Sequence, residues 1–265
     1  MQRGFTLLEI AVVLFIVGLL IAGLVGPVET QIEARDRHTT RTTLEQALEA
    51  LYGFAVTHGR LPCPDQDGDG LSDPVFDAGD VNSADCDVGS DNGFLPWAEL
   101  GVEGGDAWRN RLLYRVRHPH FTWPAADTTC NGNAQGEFDL CTTGNLTLRT
   151  RGDDVATTGV SEGKHEFAAA TADNVVAIVL SHGRNGFGAT SLDGAPRGAV
   201  PASNADEDEN ADDDAVFMTR NYSRAQNGCN DSGGEGSPLC EFDDLSLPLS
   251  RTILNSRMVG AGRLP

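Results

Sequence analysis

The sequence has almost no lysine and is short of positive charge. Lys164 is the single lysine among 265 residues, and 19 Lys and Arg stand against 39 Asp and Glu, a net charge of −20. A nucleic-acid groove needs clustered cations to neutralise phosphates, so no nucleic-acid partner is expected. The charge balance fits a well-solvated exterior domain or a domain that binds cations.

Charge is also missing from a long stretch near the N terminus. From Phe5 to Val28 the only charged residue is Glu9, and the other residues are mostly Leu, Val, Ile, Phe and Ala. As a helix this stretch would be about 36 Å long, which exceeds the roughly 30 Å of a hydrocarbon core. The sequence therefore predicts a transmembrane helix over 5–28. The apolar run is too long, and the charged head before it too short, for a cleaved secretory signal peptide.

Glu9 is not explained by simple anchoring in a membrane. A charged side chain at the centre of a bilayer costs about 2.5–3.5 kcal/mol, and such a residue is a functional candidate by default. Glu9 lies close to the start of the run, where the cost is lower. An ordinary signal anchor fits the length of the run but gives no reason for the carboxylate.

The residues Gly4-Phe5-Thr6-Leu7-Leu8-Glu9, behind a short leader that contains Arg3, resemble the processing motif of type IV pilins and type II secretion pseudopilins. The resemblance implies that a prepilin peptidase removes the leader, residues 1–4, and that Phe5 becomes an N-methylated N terminus. It also implies that Glu9 pairs with the terminal amine of a neighbouring subunit. In a filament core each of these charges would offset the desolvation of the other.

The apolar helix is expected to continue as a polar one. Leu44, Leu48, Leu51 and Ala55 repeat at helical spacing, so residues 29–59 should form the second half of a spine helix. This half should lie in the periplasm and pack on a globular head, residues 60–265. The expected fold class is α+β, with the spine helix on an antiparallel, β-rich and loop-rich head. Strands are predicted near 112–116, 146–149, 174–181 and 215–219, and a short helix is predicted to begin at Pro248.

The six cysteines lack the C-x-x-C spacing of zinc ribbons and thioredoxin-like sites. An even number behind an export helix favours an oxidising compartment and disulfides. The sequence does not fix the connectivity. We expect local pairs across the two eleven-residue spacings, Cys130–Cys141 and Cys229–Cys240, which leaves Cys63–Cys86 as the third pair. The alternative is that the cysteines are free buried thiols.

An aspartate-rich segment follows the spine. Asp65, Asp67, Asp69 and Asp73 fall at positions 1, 3, 5 and 9 of an EF-hand-type loop, with Gly70 at position 6. Alternating carboxylates on a tight turn can converge on Ca²⁺. The match ends at position 12, where Phe76 replaces the bidentate Glu, so a solvated acidic turn is the alternative. A second acidic run, Asn204 to Asp214, is predicted to be a solvated loop, with a second cation site as its alternative.

The head also carries a resemblance. The runs Gly59–Asp65, Gly93–Gly101 and Asp106–Val116 are similar to those of large uncharacterised minor pilin-like proteins of Gram-negative bacteria. The expected function is a minor pilin or pseudopilin, made in the inner membrane and then assembled with other pilins as a tip, priming or decorating subunit. No catalytic activity is expected. The alternatives are a single-span periplasmic calcium- or ligand-binding protein and an anchored hydrolase using Ser181 and His182.

Overall fold

A computed structural model of the chain describes residues 7–73, 86, 91–117, 120–122, 138–150, 164–167, 175–231 and 237–264; for 21–29 and 164–167 it describes the backbone alone. The described residues belong to two compact units, Met1–Thr39 and Thr40–Pro265. The helices are α1 (Leu7–His58), α2 (Trp97–Leu100), α3 (Ala205–Ala211) and α4 (Arg251–Gly260). The strands are β1 (Asn92–Phe94), β2 (Leu113–Val116), β3 (Thr147–Thr150), β4 (Lys164–Phe167), β5 (Val175–Ser181), β6 (Val216–Met218) and β7 (Leu245–Ser250).

The spine is one continuous helix, α1, of 52 residues. It ends one residue before Gly59, whose φ of +77° is a left-handed conformation that stops a helix at little cost. In the second unit, Leu44, Leu51 and Ala55 of α1 are fully buried in the main core of the head. The part of α1 from Thr40 to His58 therefore packs in the head.

The predicted transmembrane segment is not confirmed. Judged by length and hydropathy, none of the helices in the described part of the chain could span a bilayer. Residues 5 and 6 of the predicted segment, and the side chains of 21–29, lie outside what the structure describes.

The larger sheet has four strands in the order β1-β2-β5-β7, and all its neighbours are antiparallel. Strand β5 is buried at all seven positions, as its unbroken apolar run predicted. The predicted short C-terminal helix is present as α4, but it begins at Arg251, because Pro248 lies within β7 opposite Ile178. Strand β7 is at the edge of the sheet, where the missing amide hydrogen of proline leaves no ladder position unsatisfied.

The smaller sheet corrects the prediction of a purely antiparallel head. Its order is β4-β3-β6, and β3 pairs with β4 in an antiparallel and with β6 in a parallel arrangement. A parallel pair needs a long crossover between its strands, and here the chain between β3 and β6 includes β4, β5 and α3. The head is therefore α+β with one antiparallel and one mixed sheet.

Two of the three expected disulfides are present among the described residues. Cys63 pairs with Cys86 and Cys229 with Cys240, with Cα–Cα distances of 5.5 and 4.9 Å. The expected Cys130–Cys141 pair cannot be compared in the same way, because Cys130 lies outside the described residues. Cys63 lies between the end of α1 and the aspartate-rich segment. Its bridge to Cys86 therefore anchors the chain just before that segment.

Candidate functional site

The N-terminal part of α1 presents apolar side chains to its surroundings. Every side chain from Leu7 to Leu20 is exposed, including Leu7 at 89% and Phe15 at 68%. A helix that is apolar on all sides needs a cover of lipid or of other helices. Glu9 lies in the first turn of this helix, whereas Gly4 and Phe5 lie outside the described residues.

The aspartate-rich segment forms a closed turn, which we call the aspartate loop (Asp65–Asp73). Asp65 is fully buried and accepts hydrogen bonds from the backbone N–H groups of Gly68, at 2.6 Å, and Gly70, at 2.8 Å. Asp73 accepts one from the Gln66 N–H at 2.7 Å. Both ends of the loop are thus held by carboxylates bonded to its own backbone, which fixes its curvature.

Three of the four predicted cation ligands come together in this loop. Carboxylate oxygens of Asp65, Asp67 and Asp73 lie within 4.8 Å of one another. Asp69 is not in this group, and its Oδ1 accepts a hydrogen bond from the Leu71 N–H at 2.8 Å. Burial, with a smaller repulsive contribution from Asp69 and Asp73, raises the pKa of Asp65 above its usual value. Oxygen ligands at this spacing suit a hard divalent cation.

The aspartate loop is fastened to the rest of the head by backbone hydrogen bonds. Asp65 exchanges two with Phe94 at the end of β1, at 2.9 and 2.8 Å. The Gly70 carbonyl accepts one from the Ala98 N–H of α2, at 2.9 Å. The Arg111 guanidinium donates to the Gly68 carbonyl at 2.5 Å. These contacts hold the loop against β1 and α2.

Replacement of Gly70 by alanine should disrupt the aspartate loop. Gly70 has φ +91°, and a Cβ there would lie 2.6 Å from the indole of Trp97, which is 37% exposed. Gly101→Ala is a matched control, because Gly101 also has positive φ but a Cβ would meet nothing within 4 Å. A left-handed alanine costs about 1–2 kcal/mol at either position.

In urea denaturation of the full-length protein, Gly70→Ala should therefore lose at least about 1 kcal/mol more stability than Gly101→Ala. Equal losses in the two variants would show that Trp97 does not pack on the loop.

The serine and histidine of the hydrolase alternative do not form a nucleophile and base. The Ser181 hydroxyl donates to Asp106 Oδ2 at 2.7 Å, and Ser181 is fully buried at the end of β5. His182 is also buried, and burial lowers its pKa to about 4. A serine nucleophile needs access to substrate, which the buried Ser181 lacks, and its hydroxyl is bonded to Asp106 and not to His182.

The prediction of a solvated loop over Asn204–Asp214 is wrong. Seven of these residues form α3, and Asp206 and Glu207 on it are fully buried. Polar partners make the burial tolerable, since Asn185 and Asn204 donate to the Glu207 carboxylate and Arg220 lies 2.6 Å from Asp206. Asn204, three residues before Glu207, was the available sequence signal, whereas Asn185 and Arg220 lie outside the acidic run.

The N-terminal sequence itself matches a known family. Residues 1–25 match the family model of the prokaryotic N-terminal methylation motif. The chain has a pilin-like N terminus. This match confirms the resemblance to type IV pilins and pseudopilins, a structural rather than an enzymatic family, whose members are processed by prepilin peptidase and assemble with other pilins. No curated protein and no solved structure matches the chain.

Proposed function

We propose that the chain is a minor pilin or pseudopilin, a subunit of a type IV pilus or a type II secretion pseudopilus. The observation that supports this most strongly is the methylation motif over residues 1–25, which includes the cleavage position Gly4, the acceptor Phe5 and Glu9. In this proposal the precursor is held in the bacterial inner membrane by the segment 5–28, with its head in the periplasm.

Two structural features support this proposal. The exposed apolar side chains of Leu7–Leu20 would be covered by lipid before assembly and by neighbouring spine helices afterwards. Leu44, Leu51 and Ala55 of α1 are buried in the head, so α1 from Thr40 onwards belongs to the same compact unit as the head. The size of the head suits a tip, priming or decorating subunit better than a lean repeating one. Processing after Gly4 by prepilin peptidase is the test.

An anchored periplasmic protein that binds calcium or another ligand remains the second candidate. Its basis is the aspartate loop, where carboxylate oxygens of Asp65, Asp67 and Asp73 converge. This candidate needs neither processing at Gly4 nor a role for Glu9. The two candidates are therefore separated by the N terminus of the mature chain.

We also propose that the aspartate loop binds Ca²⁺ in either case. The loop should then lose calcium affinity in the Asp67→Ala plus Asp69→Ala variant, because one of the three converging carboxylates and a neighbouring negative charge are removed. Glu103→Ala plus Asp193→Ala removes the same charge from exposed positions and is the control.

Isothermal calorimetry of the full-length protein in detergent should show at least a tenfold loss of affinity at one site in the Asp67/Asp69 variant and little change in the control. Unchanged binding in the Asp67/Asp69 variant, or no binding at millimolar Ca²⁺, would remove calcium from the loop.

A further inference from the structure

A second group of carboxylates lies far from the aspartate loop in sequence and is fully enclosed. It joins Glu207 of α3 with Asp243 and Asp244, the two residues that precede β7. One carboxylate oxygen from each lies within 4.8 Å of the others, and all three residues are buried. We call these three residues the buried acid cluster.

The hydrogen bonds around the cluster hold its carboxylates in place. Asn185 Nδ2 donates to both oxygens of Glu207, at 3.0 Å each, and the Asp243 N–H donates to Glu207 Oε1 at 3.0 Å. The Asn185 N–H donates to Asp243 Oδ2 at 2.9 Å, and Asn210 Nδ2 donates to Asp244 Oδ2 at 2.8 Å. These donors are neutral, so they orient the three carboxylates without balancing their charge.

The neighbouring charges increase the repulsion. Burial, with smaller contributions from the charges of Asp243 and Glu241, raises the pKa of Glu207 to about 7. The pKa of Asp244 is raised well above its usual value by burial, Glu207 and Asp243, against the opposing effect of Arg220. Arg220 is itself held by Asp206 and Asp231, at 2.6 and 3.2 Å.

An independent observation comes from outside the acidic residues. His182, at the end of β5, is 2% exposed, and its Nδ1 makes no hydrogen bond although it lies 4.0 Å from Asp244 Oδ2. Asp244 Oδ1 is likewise buried without a hydrogen-bond partner. Buried polar atoms nearly always make a hydrogen bond, so these two atoms, one in the cluster and one next to it, indicate a place where a ligand or water binds. A 4.0 Å separation is too long for a direct hydrogen bond but can be bridged.

A cavity lies beside the cluster. Asp244 lines this open cavity of about 330 Å³, together with Arg220, Ser246 and the α1 residues Arg41 and Leu44. The Asp244 side chain is only 1% exposed, so entry of an ion from this cavity would require a local opening around it.

We propose that the buried acid cluster is a divalent-cation site in which Glu207, Asp243 and Asp244 each supply a carboxylate oxygen. The ion would be one that prefers oxygen ligands, such as Ca²⁺, Mg²⁺ or Mn²⁺. Water on the ion would satisfy His182 Nδ1. Because Glu207 is on α3 and the two aspartates lead into β7, the ion ties the smaller, acidic helix to the edge of the main sheet. Its role is to stabilise the head, separately from the filament function proposed above.

The test uses full-length protein in detergent, carrying Asp67→Ala plus Asp69→Ala so that the aspartate loop does not contribute. Mn²⁺ is titrated after chelation, and free Mn²⁺ is measured by electron paramagnetic resonance, with Ca²⁺ and Mg²⁺ as competitors. One Mn²⁺ per chain should bind. Adding Glu207→Gln plus Asp244→Asn should weaken binding at least tenfold, whereas Glu103→Gln plus Asp193→Asn, at exposed positions, should leave it unchanged.

Thermal unfolding provides a second readout that does not depend on any substitution. At a cation concentration 100-fold above Kd the melting temperature should rise by about 5–10 °C. The Glu207/Asp244 variant should lose this rise, whatever its melting temperature without cations, because two of the three proposed ligands are removed. If that variant does not fold, Asp243→Asn replaces it. No binding of the three ions at 1 mM, or binding unaffected by these substitutions, would overturn the proposal and leave a proton-sharing cluster.

Discussion

Replacement of Glu9 by valine should abolish incorporation of the chain into filaments. The substitution fits the apolar surroundings of the first turn of α1, so the helix and the membrane insertion of the precursor should be preserved. What is lost is the proposed partner of a neighbouring subunit's terminal amine. An amine left unpaired in a low-dielectric filament core costs about 3–5 kcal/mol, more than a hundredfold in an association constant.

The measurement is immunoblotting of sheared filaments against the membrane fraction. Glu9→Val should be found in the membrane fraction at wild-type amounts and be absent from the filaments. Glu45→Ala is the control, since Glu45 is an exposed glutamate on the same helix that pairs with Arg41. Wild-type amounts of the Glu9 variant in filaments would show that the carboxylate has no part in assembly.

Replacement of Arg220 by methionine should strongly destabilise the head. The guanidinium is 6% exposed, lies 2.6 Å from Asp206 Oδ2 and 3.2 Å from Asp231 Oδ2, and stacks 4.7 Å above the ring of Phe242. Both aspartates are fully buried. Removing one partner of a buried ion pair costs about 3–5 kcal/mol, because a carboxylate stays buried without its counter-charge.

Urea denaturation of the full-length protein at neutral pH should show this loss. Arg41→Met breaks an exposed pair between Arg41 and Glu45 and should cost less than about 0.5 kcal/mol. A similarly small effect of Arg220→Met would mean that the acidic residues of the head are not neutralised by this arginine.

The features that could be predicted from the sequence depend on local patterns. The end of α1 before Gly59 and the buried strand β5 follow from periodicity and from a continuous apolar run. The N-terminal motif is also local, since its expected cleavage position and Glu9 are five residues apart. The turn of the aspartate loop was similarly visible, because the hydrogen bonds from its backbone to Asp65 and Asp73 join residues no more than seven positions apart.

The features that were missed depend on contacts between distant segments. Pro248 and Leu249 suggest a helix by spacing, but pairing with β5 makes them a strand. The acidic residues of α3 look solvated in isolation, and only Arg220 and Asn185, brought near by the fold, show that Asp206 and Glu207 can be buried. A local sequence pattern does not show which distant residues become partners in the fold. The burial of charged side chains was therefore the property that the sequence predicted least well.

The proposal that the chain is a processed pilin subunit is tested most directly by the intact mass and N-terminal sequence of the protein from cells with and without prepilin peptidase. With the peptidase, the chain should begin at an N-methylated Phe5, which requires cleavage after Gly4; without it, the chain should begin at Met1. A chain that begins at Met1 in both kinds of cell would contradict the proposal and leave an anchored protein whose acidic head carries its function.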